Sequence, residues 1–172
     1  MCGSNVVSLS GGKDSTAMLL MLLERGEDIA DIVFFDTGWE HPEMYEHLDK
    51  LENFVGRKIT RLQARLPIGI ETEKTPFDWW FSEKPIRKRG TGQIHRIGCA
   101  WPNIFIRWCT GRKQAAIHSH ILGLTHRQNV KLPLRNCIGF AADEVKRMTG
   151  ITKCGGDYHV QRYPLHEWGI TE

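Results

Sequence analysis

The sequence predicts an α/β fold: an open, mostly parallel, doubly wound sheet with helices on both faces. Three observations lead there. Short apolar runs alternate with longer amphipathic ones over the first 62 residues. The first run ends at a Gly-Gly turn that opens directly into a helical stretch. Pro42 and Gly56 bracket the second helical stretch, where a helix start favours Pro and a helix end favours Gly.

In order, Asn5-Val6-Val7-Ser8-Leu9 reads as a buried strand closed by glycines. Ser15 to Arg25, rich in Ala, Met and Leu, follows as a helix, with Asp14 or Ser15 placed to cap it and Gly26 suited to a left-handed residue past its end. Asp31-Ile32-Val33-Phe34-Phe35 is a second buried strand, and Pro42 to Val55 is a helix carrying Met44, Leu48, Leu51 and Val55 on one face. Lys58 to Leu62 is a third strand. Strand, helix, strand, helix, strand on this rhythm implies parallel neighbours joined by right-handed crossovers. From residue 63 to 108 the periodicity breaks into an irregular insertion with one short helix near Phe77 to Phe81. Regularity returns with a helix from Thr110 to Leu122, a strand at Asn136 to Phe140, a short helix at Asp143 to Met148 and an extended stretch at His159 to Tyr163. The expectation is one nucleotide-binding domain spanning 1–172.

Composition narrows the class. With 172 residues, 41% hydrophobic and 25% charged, the chain can bury a single core. A net charge of +3 suits an anionic ligand and is too small to argue for nucleic acid by itself. No apolar run approaches the roughly 20 residues that span a bilayer, and Met1-Cys2-Gly3-Ser4-Asn5 carries no basic segment before an apolar one. Five scattered cysteines do not form a secreted disulfide framework, so a cytoplasmic protein without membrane contact is expected.

The segment that carries chemistry is Ser8-Leu9-Ser10-Gly11-Gly12-Lys13-Asp14-Ser15, between the first strand and the first helix. Two glycines allow a tight turn and close backbone approach, so free N–H groups can face phosphate oxygens. The following helix adds its positive N-terminal end. Ser10 and Ser15 add hydroxyls and Lys13 adds charge. The spacing is shorter than that of a Walker A loop, and an Asp stands where that loop has Ser or Thr.

This segment resembles the S-G-G-x-D-S signature of the PP-loop ATP pyrophosphatases. The likeness continues into the branch that contains the phosphoadenosine phosphosulfate (PAPS) reductases. Asp36-Thr37-Gly38-Trp39-Glu40-His41-Pro42-Glu43 is similar to its D-T-G-x-x-x-P-E segment. Arg107-Trp108-Cys109-Thr110-Gly111-Arg112-Lys113 is similar to its R-W-C-T-x-x-x-K stretch, with Arg112 immediately before the lysine. Gly139-Phe140-Ala141-Ala142-Asp143-Glu144-Val145-Lys146-Arg147 and Tyr163-Pro164-Leu165-His166-Glu167-Trp168-Gly169-Ile170-Thr171-Glu172 resemble two further elements of the branch.

The resemblance implies a fold like that of the adenine nucleotide α hydrolases. It also implies an adenine nucleotide bound by Ser8, Ser10, Gly11, Gly12, Lys13, Asp14 and Ser15, with adenosine near Asp36, Thr37 and Gly38. In the leading reading the ligand is ATP with Mg²⁺, cleaved between the α- and β-phosphates to adenylate an acceptor, as in sulfur transfer or nucleic-acid modification. Asp14 would orient the loop or the metal, and Lys13, Arg112 and Lys113 would offset charge on the leaving pyrophosphate. In the alternative reading the site holds a sulfonucleotide such as PAPS and Cys109, beside cations at a helix start, is the activated thiol. A third reading is a nucleotide-binding module without catalysis. One departure bears on the second reading: the family's terminal E-C-G-[IL]-H segment has no counterpart before Glu172.

Cys99, Cys109, Cys137 and Cys154 contain no C-x-x-C pair, so neither a metal nor an iron–sulfur cluster is expected. Cys137 falls in a strand and reads as a small core residue, and Cys2 as peripheral. His118, His120 and His126 lack the i, i+4 spacing of a helical zinc pair. The basic run Lys84 to Arg89, near Trp79, Trp80 and His95, reads first as a solvated loop and second as a surface for a polyanion. Nucleic acid stays among the acceptors admitted, and a homodimer is compatible with the sequence.

Overall fold

A computed structural model of the chain describes residues 3–103, 105–126, 130–145 and 159–171. The chain groups into two compact units. The first comprises Met1–Phe35, His41–Leu62 and Ile117–Glu172; the second comprises Asp36–Glu40 and Gln63–Ala116.

The first unit holds a five-stranded sheet: β1 (Asn5–Leu9), β2 (Ile29–Phe35), β3 (Thr60–Leu62), β6 (Leu134–Ile138) and β7 (His159–Arg162), ordered β3-β2-β1-β6-β7. Every neighbouring pair is parallel. Buried parallel strands have apolar residues on both faces, and β1 follows that rule. Val7 and Leu9 pack with Met18, Leu19 and Leu22 of helix α1 (Lys13–Glu24) and with Leu48 and Leu51 of helix α2 (Pro42–Val55). Val6, on the opposite face, packs with Ile117, Ile121 and Leu124 of helix α4 (Trp108–Leu124). Helices therefore cover both faces, as the sequence predicts. Cys137 of β6 lies fully buried in the first cluster, and burial pushes its thiol up to about 12.

Local chemistry accounts for the element ends. Pro42 stands in the first turn of α2, and Gly56 closes that helix in the left-handed region at φ 64°. Gly26, at φ 65°, sits just past the end of α1. The short helix α5 (Pro164–Glu167) packs Leu165 into the core and brings Trp168 under the Arg25 guanidinium, 4.3 Å from the ring centre. Arg162 of β7 makes a two-pronged pair with Glu27 at 2.5 and 3.0 Å, and its Nε reaches Glu167 at 2.9 Å. Hydrogen bonding from Arg162 holds the Glu27 carboxyl below its usual range.

The second unit contains helix α3 (Pro76–Ser82) and an antiparallel hairpin of β4 (Pro85–Arg87) and β5 (Ile94–Ile97). Helix α4 begins in this unit and ends in the first.

Several sequence expectations shift. Helix α1 starts two residues earlier than expected and is capped by Gly12, without a side-chain cap, because Ser15 turns its hydroxyl back into the loop. β6 lies two residues earlier than expected, at 134–138, and Gly139 lies beyond it. The β4–β5 hairpin was not anticipated. Of the helix expected at Asp143 to Met148, residues 146–148 lie outside the described residues, as do Cys2, Cys154, Arg147 and Glu172.

Candidate functional site

In an open parallel sheet, ligands bind beyond the carboxyl ends of the strands where the strand order reverses. Here β1 leads to β2 on one side and to β6 on the other, so the reversal lies at the end of β1. The loop at that point is 10–12, followed by the first turn of α1.

Ser15 organises this loop. Its side chain is buried, and its Oγ accepts from the Ser10 N–H at 3.1 Å while donating to the Gly12 carbonyl at 3.0 Å. Ser10 Oγ lies 3.0 Å from Ser15 Oγ and accepts from the Gly12 N–H at 3.4 Å. The two hydroxyls thus staple a tight turn directly ahead of a helix start, where the N–H groups of Lys13, Asp14 and Ser15 lack intrahelical acceptors. Gly11 occupies the left-handed region at φ 79°, and a Cβ there would meet Met44 Sδ at 2.2 Å. Gly12 differs: its φ is ordinary and a Cβ would touch only Ser10 Oγ, at 3.6 Å.

The neighbouring strand end closes the other side. Gly139, just past β6, approaches α1 so closely that a Cβ would lie 2.9 Å from the Ser15 Cα. Ser8 Oγ donates to Asn136 Oδ1 at 2.8 Å, tying β1 to β6 below the loop, so its hydroxyl serves the sheet. Lys13 is exposed, and the half-buried Asp14 carboxylate has no protein partner among the described residues. Met44, Asn136 and Gly139 are parts of this site that the loop motif does not name. For Gly139 the signal was its place at the head of the element Gly139 to Arg147 that resembles the branch. A cavity of about 260 Å³ lies elsewhere in this unit, lined by residues 29–32 and 56–58, and includes no loop residue.

The remaining candidates belong to the second unit. Asp36 Oδ1 accepts from the Gly38 N–H at 2.8 Å, and Oδ2 accepts from Gln63 at 3.2 Å. Thr37 Oγ1 accepts from the Trp39 N–H at 3.0 Å and donates to Glu40 at 2.8 Å. Gly38 sits at φ 75° against the Thr75 side chain. Trp39 donates its indole N–H to Asp78 at 2.6 Å and meets Phe77 and Phe81 edge-on. Hydrogen bonds from Thr75 first, and then Trp39, hold the Asp78 carboxyl below its usual range. Burial lowers the Lys113 ammonium while the Glu40 carboxylate acts the other way. The Arg112 guanidinium lies 4.2 Å from the Trp80 ring centre, and Cys109 Sγ is half-buried, 4.0 Å from Thr110 Oγ1.

The structure thus brings Ser10, Gly11, Gly12, Lys13, Asp14 and Ser15 together in the β1–α1 loop and first helical turn of the first unit, whereas Ser8 lies within β1 with its hydroxyl engaged by Asn136. Asp36, Thr37, Gly38, Cys109, Arg112 and Lys113 belong to the other unit.

Comparison with known proteins adds to this geometry. A family model described as the phosphoadenosine phosphosulfate reductase domain matches residues 4–100. An uncharacterized 37.8 kDa protein in the gpa 5′ region of Escherichia phage 186 is 41% identical over 71 residues, 41% of this chain and 20% of that protein. An uncharacterized protein of Methanocaldococcus jannaschii is 44% identical over 60 residues, 34% of this chain and 12% of its own. An uncharacterized nin-region protein of Escherichia phage lambda is 44% identical over 64 residues, covering 35% of this chain and 21% of that one. The matches span at most 21% of the length of these curated relatives.

Proposed function

The chain belongs to the phosphoadenosine phosphosulfate reductase domain family, and from that premise we propose that it is an enzyme that binds ATP through the β1–α1 loop and cleaves it between the α- and β-phosphates. The observation that carries the reading is the Ser10–Gly12 turn, stapled by Ser15 at the point of strand-order reversal and aimed from the start of a twelve-residue helix. Such a turn presents backbone donors to phosphate oxygens. The acceptor's nucleophilic atom attacks the α-phosphorus, the bond to the bridging oxygen breaks, and pyrophosphate leaves with its electron pair. Loop N–H groups and Lys13 stabilise charge growing on the leaving group. Asp14 would offer an oxygen ligand to Mg²⁺, a role that its lack of a protein partner among the described residues fits. Mg²⁺ carried with the triphosphate would supply further positive charge.

A second reading keeps the loop and changes the ligand to a sulfonucleotide such as PAPS. It is favoured by the family's own description. The roles of Asp36, Thr37, Gly38, Cys109, Arg112 and Lys113 stay as the resemblance implies them.

Calorimetry with ATP plus Mg²⁺, and separately with PAPS, tests both readings, with Gly12→Asp as control. A side chain fits at Gly12, so the variant is expected to fold and to repel phosphate by charge. ATP binding lost in Gly12→Asp supports the first reading and directs the search for the acceptor to pyrophosphate release. Binding of PAPS without ATP replaces it with the second. Binding of neither overturns both.

A further inference from the structure

Charge is unevenly divided along this chain. The second unit carries ten Lys and Arg against six Asp and Glu, a net of +4, whereas the rest carries thirteen against fourteen. Within that unit all six acids precede Lys84, and no Asp or Glu occurs from Lys84 to Ala142. Four of the six acids are also engaged locally. Glu83 pairs with Lys74 at 2.8 Å, Asp78 with Thr75 and Trp39, Glu40 with Thr37, and Asp36 with Gly38 and Gln63.

Among the described residues the cations of the hairpin have no carboxylate partner. Arg87, Lys88, Arg89 and Arg96 are exposed, and none forms an ion pair among the described residues. Arg87 instead donates to the Gly92 carbonyl at 2.9 Å and Arg96 to that of Cys99 at 3.2 Å, which fixes both on the hairpin.

Four residues past the end of β5, the same unit begins to expose aromatic surface. Trp101 is 69% exposed, yet its orientation is set by a near-parallel ring contact with Trp39 (6.1 Å, 15°) and an edge contact with Phe81 (5.6 Å). Phe105 is 88% exposed. Cations without ion-pair partners on a hairpin that leads into a pre-oriented, exposed ring suit a strand of phosphates with unstacked bases.

We propose that this surface of the second unit binds single-stranded nucleic acid, with the hairpin cations on the phosphates and Trp101 stacking a base. The proposal stands apart from the nucleotide reading above. An anionic membrane surface would also attract cations, but a ring whose orientation is held by two neighbours suits base stacking better than insertion into lipid.

The test is fluorescence anisotropy of the full chain with labelled oligothymidylate and oligouridylate 20-mers, titrated at several salt concentrations. Binding is expected to weaken with salt. Replacing Arg87, Lys88 and Arg89 together by Gln is expected to reduce the slope of log affinity against log salt by about 2, near 0.7 for each phosphate no longer neutralised. Trp101→Ala is expected to weaken binding about tenfold while Trp101→Phe retains most of it. All these positions are exposed, and circular dichroism melting confirms that each variant folds. The proposal is overturned by any of four results: no binding at low salt, binding that ignores both sets of substitutions, a duplex of equal length bound more tightly, or capture by phosphatidylserine vesicles without oligonucleotide binding.

Discussion

At the scale of single residues, the two loop glycines are not equivalent. Gly11 holds a left-handed backbone against Met44, whereas Gly12 has an ordinary φ and room for a methyl group. Gly11→Ala is therefore expected to destabilise the protein by at least about 1–2 kcal/mol, the cost of a left-handed conformation for a residue with a Cβ. Gly12→Ala should change stability by well under that amount. Denaturant midpoints of the two variants check the contrast, and equal losses would sink it. The motif was legible from Gly11, Gly12 and Ser15, but the division of labour was not. Ser15 was expected to offer its hydroxyl outward, and instead its hydrogen is donated to the Gly12 carbonyl. Hydroxyl direction depends on which acceptor the fold brings near, and spacing alone does not carry that.

At the scale of elements, legibility followed the physical contrast at the boundaries. Helix α2 was read to the residue because Pro42 and Gly56 mark its ends by backbone chemistry. β6 was misplaced because Gly139 was counted as strand, although its lack of a side chain serves the close approach to Ser15. The β4–β5 hairpin escaped because its strands are three and four residues long, and β5 is exposed throughout. No apolar alternation exists there to be seen. The tie between the α1–β2 turn and β7 yields a prediction of its own. Hydrogen bonding from Arg162 depresses Glu27 below its ordinary 4.5. A depressed carboxyl contributes stability that is present above the unfolded value and is lost as pH falls through the folded one. The stability gap between wild type and Glu27→Gln should thus hold steady above about pH 5 and narrow as pH falls below about 4.5. A gap that widens on acidification in urea titrations would show that Arg162 does not set it.

At the scale of the whole molecule, the fold class was legible early because three strands and two helices alternate within the first 62 residues. The sequence marked 63–108 as an insertion, but not its grouping with residues 36–40, which are distant in sequence and join it through contacts such as Trp39 with Phe77. If the loop holds ATP, binding stabilises the folded chain by mass action. ATP with Mg²⁺ at about one hundred times its Kd should add about 2.7 kcal/mol, raising the Tm by about 5–10 °C for a chain of this size. The same ligand should leave the Tm of Gly12→Asp unchanged. A shift of equal size in both proteins would place the ligand away from this loop.

The burial of Cys137 turns the sheet into its own reporter. A thiol shut inside the core and held near 12 is almost wholly protonated at neutral pH, and only the thiolate attacks a disulfide reagent. In native buffer its peptide should therefore stay unmodified while half-buried Cys109 reacts, as mass spectrometry of digested protein would reveal. Modification of Cys137 then proceeds only when β6 parts from its neighbours, so its rate times the opening of the central sheet.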